Sequence, residues 1–291
     1  MAAASTAGYA TRPVQLFYAL SQAGRAIVAA SPRIDNQSWR ASGHGLSAST
    51  GVTAVADVTV SAQSHGLFPA VARALGAEPL VPGEPVALRD LWPLLPNAVL
   101  VPLTSDALLP VLLFQSATGL AGRPSVGATL VWIPHRVRDL HGDDHAQLKQ
   151  HFSHYPSLSG LGFPVPPGNG VAWSEGMGPG LGLHVVFGDA ATPTDTRSLA
   201  ERKATLYRSE NYWVVTPAIG SMTTALHPVL AWWGVLLALS SLARYEPAVW
   251  DKMIDIDASR DAIAIEHILD EAMSAMPAVV RQVLHGFQGQ I

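Results

Sequence analysis

The stretch Val229–Ala243, VLAWWGVLLALSSLA, constrains the fold more than any other part of this 291-residue chain. It lies within the longest segment without charged residues, which runs from Asn211 to Ala243. Its 15 residues are fewer than the roughly 20 apolar residues that a bilayer span needs. Because the stretch is apolar nearly all round, we predict a helix over Pro228–Arg244 that is buried in the protein core, and no membrane partner.

The composition agrees with a large core and a cytoplasmic protein. Hydrophobic residues make up 48% of the chain and charged residues 14%, against a usual charged share of about 25%. The net charge of -4 carries no DNA-binding signature, so RNA binding would need a local basic patch. The absence of cysteine excludes disulfides and thiolate sites and suits a reducing compartment. The first residues lack the apolar region of a signal peptide, which favours a cytoplasmic location.

The hydrophobic periodicity predicts three zones. Residues 1–50 hold an N-terminal helix and a loop, with the helix over Pro13–Ala30 marked by apolar residues at helical spacing. Residues 51–217 form a mixed α/β insertion, and residues 218–291 are again helical. Pro277 is expected to interrupt the last helix, with AVVRQVLHGF as a candidate helical continuation. The expected fold class is α+β: a helical bundle built from both chain ends, carrying the insertion between them.

Local patterns give the expected elements of the insertion. Alternating residues bounded by glycine, proline or aspartate predict strands in GVTAVADVTVSA, VGATLVWIP, GLHVVFGD and NYWVVTPAI. Short helices are expected in LRDLWPLL and DALLPVLLFQSA, and a polar helix in HGDDHAQLKQHFSHYP. The glycine- and proline-rich GFPVPPGNGVAW is expected to be a loop.

Four stretches together are typical of a known family. FYALSQAGRAI, GHGL, HPVLAWWGVLLALSSLARYEPAVW and SRDAIAIEHILDEA resemble the bacterial YaaC-like proteins, an uncharacterised family, with similarity from Leu16 to about Leu284. The helical parts also resemble the HEPN superfamily of small helical domains, many of which are ribonucleases with an Arg-x(4–6)-His motif. This second resemblance implies a HEPN-like bundle, a homodimer and a role in stress response or anti-phage defence.

The segment RDAIAIEH provides the candidate catalytic residues Arg260, Asp261 and His267. On one helix, residues seven apart differ by about 20° in direction and roughly 10 Å in height, so both long side chains converge on one phosphate. Histidine would move a proton and arginine would stabilise the charge on phosphorus, without a metal. The alternative is an ordinary solvated helix face, with Asp261 beside Arg260 and Glu266 beside His267.

The first helix carries a polar stripe of Tyr18, Gln22 and Arg25, spaced i, i+4 and i+7. Gln22 and Arg25 are therefore candidate ligand-binding residues, with Arg25 facing a phosphate. The alternative, which we favour for Arg25, is an ion pair with a carboxylate such as Glu246 or Asp270.

His44 lies between Gly43 and Gly45, and glycine allows a backbone to approach a ligand closely. A histidine there is a candidate general base or ligand contact, and equally a residue that caps a turn. Trp39 and Arg40 are expected to line the same pocket.

Arg244 and Glu246 directly follow the buried helix, where a basic side chain suits the free carbonyls at the helix end. We expect a structural corner here, and both residues are candidates to line a site if the bundle holds one.

The histidine-rich segment is expected to be a solvated polar helix rather than a metal site. Five histidines and two aspartates cluster there: His135, His141, Asp143, Asp144, His145, His151 and His154. His151 and His154 are three residues apart, but no third ligand follows at a metal-site spacing. We therefore expect no metal and no cofactor.

Three functional classes remain open from the sequence. A binding or scaffold protein, with a protein partner or as a homodimer, suits the hydrophobic composition and the eight tryptophans. A metal-independent ribonuclease would use Arg260 and His267, although the low charge disfavours tight RNA binding. A small-molecule enzyme would use the Gly43-His44-Gly45 loop. We favour the first class.

Overall fold

The computed structural model describes residues 2–35, 37–115, 126–163, 171–175, 178, 180–187, 206–209 and 212–288. It is a mixed helix-and-sheet structure, which confirms the α+β class. Two compact units divide the chain: the first holds residues 1–107, 219–222 and 226–291, and the second holds residues 108–218 and 223–225. Residues 51–107, which the sequence assigned to the insertion, therefore lie in the same unit as both chain ends.

The first unit is mainly helical. Its described helices are α1 (Ala2–Ser5), α2 (Arg12–Ala30), α3 (Leu67–Leu75), α4 (Leu88–Leu91), α7 (Pro228–Tyr245), α8 (Pro247–Met253) and α9 (Ala262–Gln288). A small antiparallel sheet has the order β1 (Leu46–Ser49), β2 (Thr59–Ala62) and β3 (Val86–Ala87). Single 3-10 turns cover Ser38–Arg40, Val55–Asp57, Trp92–Leu94 and Pro96–Leu100.

Helix α7 is the core of the first unit, as its sequence predicts. All 15 residues from Pro228 to Leu242 are buried. The helix is long and apolar enough to cross a bilayer by length and composition, but most of it is buried inside the protein. Helix α2 packs against α7 and α9, so the predicted packing of the first helix against the C-terminal helices is confirmed.

The contact between α2 and α7 depends on Gly24. A Cβ atom on Gly24 would lie 2.5 Å from Cη2 of Trp233 and 3.1 Å from Cγ2 of Val71. The glycine thus lets the indole ring of α7 lie against the backbone of α2.

The second unit is an antiparallel sheet with two described helices. Its strands are β4 (Val111–Gln115), β5 (Val126–Ile133), β6 (Leu161–Gly162), β7 (Trp173–Ser174), β8 (Leu181–Phe187), β9 (Tyr207–Ser209) and β10 (Tyr212–Val215). Their order is β6-β8-β5-β4-β10-β9, and β7 also pairs with β8. Helices α5 (His135–His141) and α6 (His145–Phe152) contribute Val137, Leu148 and Phe152 to a core shared with one sheet face.

One predicted helix of the insertion is wrong. Within DALLPVLLFQSA, Val111–Gln115 forms strand β4, which pairs with β5 and β10. Leu113 lies opposite Leu130 and Trp213. Val111 and Leu113 face one core and Leu112 faces another, so the strand is buried on both sides. A strand buried on both faces has a continuous apolar run, which periodicity does not separate from a short buried helix.

Other expectations need smaller corrections. In GVTAVADVTVSA only Thr59–Ala62 forms a strand, because Val55–Asp57 is a 3-10 turn. Pro277 does not interrupt the last helix, which continues to Gln288; proline costs α9 one backbone hydrogen bond without ending it. Most of the predicted loop GFPVPPGNGVAW, residues 164–170, lies outside the described residues.

Candidate functional site

The Gly43-His44-Gly45 loop is held against the start of α3. The carbonyl oxygens of Gly43 and His44 accept hydrogen bonds from the backbone amides of Leu67 and Phe68, at 3.2 and 2.9 Å. Gly45 has a φ of +77°, and a Cβ atom there would lie 2.5 Å from Cδ of Pro69. The close backbone approach that these glycines permit is therefore to the protein's own helix, and it fixes the position of His44.

The His44 ring packs on helix α2. Its centroid lies 4.8 Å from the Phe17 ring and 6.3 Å from the Tyr18 ring, both edge-on. Burial, together with the positive charges of Arg244 and Arg25, lowers the pKa of His44 below its ordinary value. The neutral imidazole is consequently the main form at pH 7.

Arg25 binds the backbone of the loop that leads to His44. Its Nη1 donates to the carbonyl oxygen of Trp39 at 2.6 Å and to that of Ala41 at 3.4 Å. The favoured sequence interpretation, an ion pair with Glu246 or Asp270, is not what the structure has: Asp270 instead pairs with the N-terminal end of α2. Arg25 therefore ties residues 39–41 to the middle of α2.

Arg244 lies at the end of α7, next to two exposed aromatic rings. Its guanidinium carbon lies 6.0 Å from the centroid of Tyr18 and 4.8 Å from that of Tyr245. The exposed fractions of Tyr18 and Tyr245 are 44% and 63%. These distances are within the range of cation–π attraction. Glu246 directly follows α7. Its backbone carbonyl oxygen accepts a hydrogen bond from the amide of Trp250, in the first turn of α8, at 2.8 Å, as expected of a corner residue.

We call the surface formed by these side chains the His44 face: Tyr18, Arg25, Trp39, Arg40, His44, Arg244 and Tyr245. Gln22 is exposed on the same helix, one turn after Tyr18. The Arg40 guanidinium carbon lies 5.2 Å from the Trp39 ring centroid. In the described part of the chain no carboxylate pairs with Arg40 or Arg244. The face presents arginine charge and aromatic surface together.

The predicted catalytic segment has a different arrangement. Arg260 is exposed in the turn before α9, which begins at Ala262. Contrary to the sequence-based prediction, Arg260 and His267 therefore do not extend from one helix face, because only His267 belongs to the helix. Arginine at such a turn has no direction fixed by the helix.

His267 bonds to the turn that packs on α9. Its Nε2 lies 3.1 Å from the carbonyl oxygen of Asn97, so Nε2 carries the proton that is donated. The Asn97 side chain in turn donates to Oε2 of Glu271 at 2.6 Å. These contacts connect α9 to residues 96–100, which is a structural role.

Asp261 closes the start of α9. Its carbonyl oxygen accepts the amide of Ile265 at 2.9 Å, and its carboxylate accepts the amide of Val55. Burial raises the pKa of Asp261, and the bond from Val55 opposes that shift. The three predicted catalytic residues thus differ in role: two have internal backbone partners and one is exposed.

The histidine-rich segment of the second unit contains a helix cap and a histidine pair. Asp144 accepts the amides of Ala146 and Gln147 at the start of α6. The ring centroids of His141 and His151 lie 5.3 Å apart. The pKa of His151 is lowered to about 4, mainly by burial. Among the described residues no three histidine, aspartate or glutamate side chains are placed to hold a metal ion.

Comparison with known proteins identifies the family. The sequence profile of the YaaC-like proteins matches residues 1–284. The chain belongs to the YaaC-like family. Neither a curated protein nor a solved structure matches it.

Proposed function

We propose that this YaaC-like chain is a binding protein and that its His44 face contacts an acidic segment of a partner protein. The observation that supports this most directly is the exposure of the Arg40 and Arg244 side chains without an ion-pair partner in the described part of the chain. Both side chains lie beside aromatic rings.

The chemistry of the face suits a protein ligand. Arginine, tryptophan and tyrosine are the residues most enriched among those that dominate interface energies. A guanidinium group binds carboxylates through two parallel hydrogen bonds, and an aromatic ring beneath it limits its freedom before binding. The chain as a whole is acidic, with a net charge of -4, so the positive face is local and favours a local acidic segment over a long nucleic acid.

The two alternatives have less support. For a HEPN-type ribonuclease, Arg260 lies outside α9 and His267 is bonded to Asn97. For an enzyme at the Gly43-His44-Gly45 loop, the loop carbonyls already cap α3. The HEPN-like character of the bundle, the cytoplasmic location and a role in stress or anti-phage defence stay predictions.

A charge reversal tests the proposal. Tagged full-length chain is incubated with an extract of the source cells, and retained proteins are quantified for the wild type, Arg244→Glu and Arg281→Glu. Arg281 is exposed on α9 and is a matched control. We expect an acidic protein that the wild type and Arg281→Glu retain and Arg244→Glu loses, followed by direct calorimetric binding of that purified protein. Equal retention by all three would reject the His44 face as the contact surface.

The same preparations decide between binding and catalysis. Labelled RNA is incubated in EDTA with the wild type, Arg260→Ala and His267→Ala. We expect no cleavage by any of them. Cleavage by the wild type that both variants lose, with folding intact, would instead support the ribonuclease. In a separate size-exclusion experiment, elution of the purified wild type as a dimer would identify a second copy as the partner.

A further inference from the structure

A cleft of about 390 Å³ opens between the turn Ser38–Arg40 and helix α3. Its described lining is formed by Gln37, Ser38, Arg40, Ala41, Ser64, His65, Gly66, Ala70 and Arg73. The cleft is largely open to solvent, and its volume lies near the lower end of the roughly 300–1,000 Å³ of small-molecule sites. The cleft shares only Arg40 with the His44 face.

Basic residues from three different segments line the cleft. Arg40 comes from the turn, His65 from the residues before α3, and Arg73 from the last turn of α3. No acidic residue is among the described residues of the lining, and in the described chain no carboxylate pairs with Arg40 or Arg73. The cleft therefore concentrates positive charge that the protein does not neutralise itself.

The carboxylate closest in sequence to the cleft residues, that of Asp35, binds the backbone and does not pair with Arg40 or Arg73. Oδ1 of Asp35 accepts the backbone amide of Gln37 at 2.9 Å. Ser38 and Ser64 add hydroxyl groups to the lining, and hydroxyls donate to anionic oxygens without adding charge. The first amides of α3 take no part, because Leu67 and Phe68 donate to Gly43 and His44. Recognition of an anion here would depend on side chains.

The walls of the cleft are held in place before any ligand binds. Gly66 has a φ of +110°, and a Cβ atom on it would lie 2.6 Å from the Cα of Gly45. The two glycines lie in a repeated His-Gly-Leu sequence, His44–Leu46 and His65–Leu67. On the other wall, Arg25 holds the carbonyls of residues 39 and 41. A site with fixed walls loses less conformational freedom on binding.

We infer that this cleft binds a small phosphorylated molecule through its phosphate group. A phosphate monoester carries close to two negative charges at pH 7. Two guanidinium groups match that charge and offer paired donors to its oxygens. The volume leaves space for a small organic group attached to the phosphate. This site goes beyond the proposed partner-binding face, and its lining residue Arg73 lies outside that face.

Calorimetric titration of the full chain tests the site, with AMP, inorganic phosphate and adenosine as probes. We expect saturable binding of AMP and of phosphate, and binding of adenosine at least tenfold weaker. Arg73→Gln should weaken AMP binding at least tenfold, whereas Arg281→Gln on α9 should leave it unchanged. Arg73→Lys should fall between, because lysine keeps the charge but lacks the planar pair of donors.

Two results would overturn the inference. One is the lack of saturable binding of both AMP and phosphate at millimolar concentration. The other is an equal loss of affinity in Arg73→Gln and Arg281→Gln, which would reveal nonspecific charge attraction. Circular dichroism of each variant confirms folding. Because Arg244→Glu changes the His44 face and Arg73→Gln does not, failure of one proposal is distinguishable from failure of the other.

Discussion

The His44 face and the start of α9 both combine histidine and arginine, but the two regions use them differently. At the start of α9, His267 and Asp261 have backbone partners in neighbouring turns, and only Arg260 is exposed. On the His44 face, Arg40 and Arg244 are exposed on aromatic rings and have no carboxylate partner in the described chain. Buried polar groups with internal partners hold a fold together, whereas exposed charges without them are available to a ligand.

The largest expected effect concerns the helix that supports the His44 face. Gly24→Ala places a methyl group 2.5 Å from Cη2 of Trp233, in a tightly packed core that has no room for it. We expect the free energy of unfolding to fall by about 3 kcal/mol. Chemical denaturation monitored by tryptophan fluorescence measures this change.

Gly286→Ala in the last helix is the matched control. Gly286 also lies in a helix, α9, and a Cβ atom there would have no atom within 4 Å. Alanine favours helix over glycine, so we expect a stabilisation of about 0.5 kcal/mol. Similar losses in both variants would show that the contact of α2 with α7 is not the specific support of the His44 face.

The second expected effect is a loss of stability in acid through His227. Its Nδ1 accepts the amide of Val229 at 3.2 Å and caps α7, the helix that ends at the His44 face. Burial lowers the pKa of His227 to about 4, against about 6.5 in an unfolded chain. The unfolded chain binds the proton first, so stability is full above pH 6.5 and declines as the pH falls towards 4. We expect a loss of about 3 kcal/mol, measured by denaturation at pH 7 and pH 4.

The variant His227→Asn distinguishes the contribution of His227 to acid sensitivity from that of the other histidines. Asparagine is a good helix cap and does not titrate. The variant should therefore lose less stability than the wild type between pH 7 and pH 4. Identical pH dependence in the two proteins would assign the acid sensitivity to other groups, such as His151 of the second unit.

The third effect compares the two regions directly. His267→Ala leaves the carbonyl of Asn97 without its donor, so we expect a destabilisation of about 1–2 kcal/mol. Arg244→Gln removes an exposed charge and should change the free energy of unfolding by less than about 0.5 kcal/mol. Thermal unfolding of both variants at pH 7 checks the pair. A larger loss of stability in Arg244→Gln than in His267→Ala would indicate that Arg244 has the structural role and that His267 is available for chemistry.

The buried helices of this protein can be predicted from the sequence better than its strand pairing and the hydrogen-bond partners of its polar side chains. The uncharged stretch before Arg244 and the apolar stripe of α2 specify two packed helices, because burial depends on a pattern that is local in the sequence. Strand β4 could not be recognised, since its type depends on β5 and β10 beside it. The partners of Arg25 and His267 also could not be predicted. Each binds a backbone carbonyl, and any residue type can provide one.

The smallest expected effect tests whether the His44 face is one electrostatic unit. The positive charges of Arg244 and Arg25 both help to lower the pKa of His44. Removing one of them in Arg244→Gln should therefore raise that pKa, because protonation of the ring then meets less repulsion. NMR titration of the His44 ring protons measures the shift, and Arg260→Gln should leave it unchanged. If Arg244→Gln also leaves it unchanged, the two residues do not share one surface, and the proposed contact face would divide into separate parts.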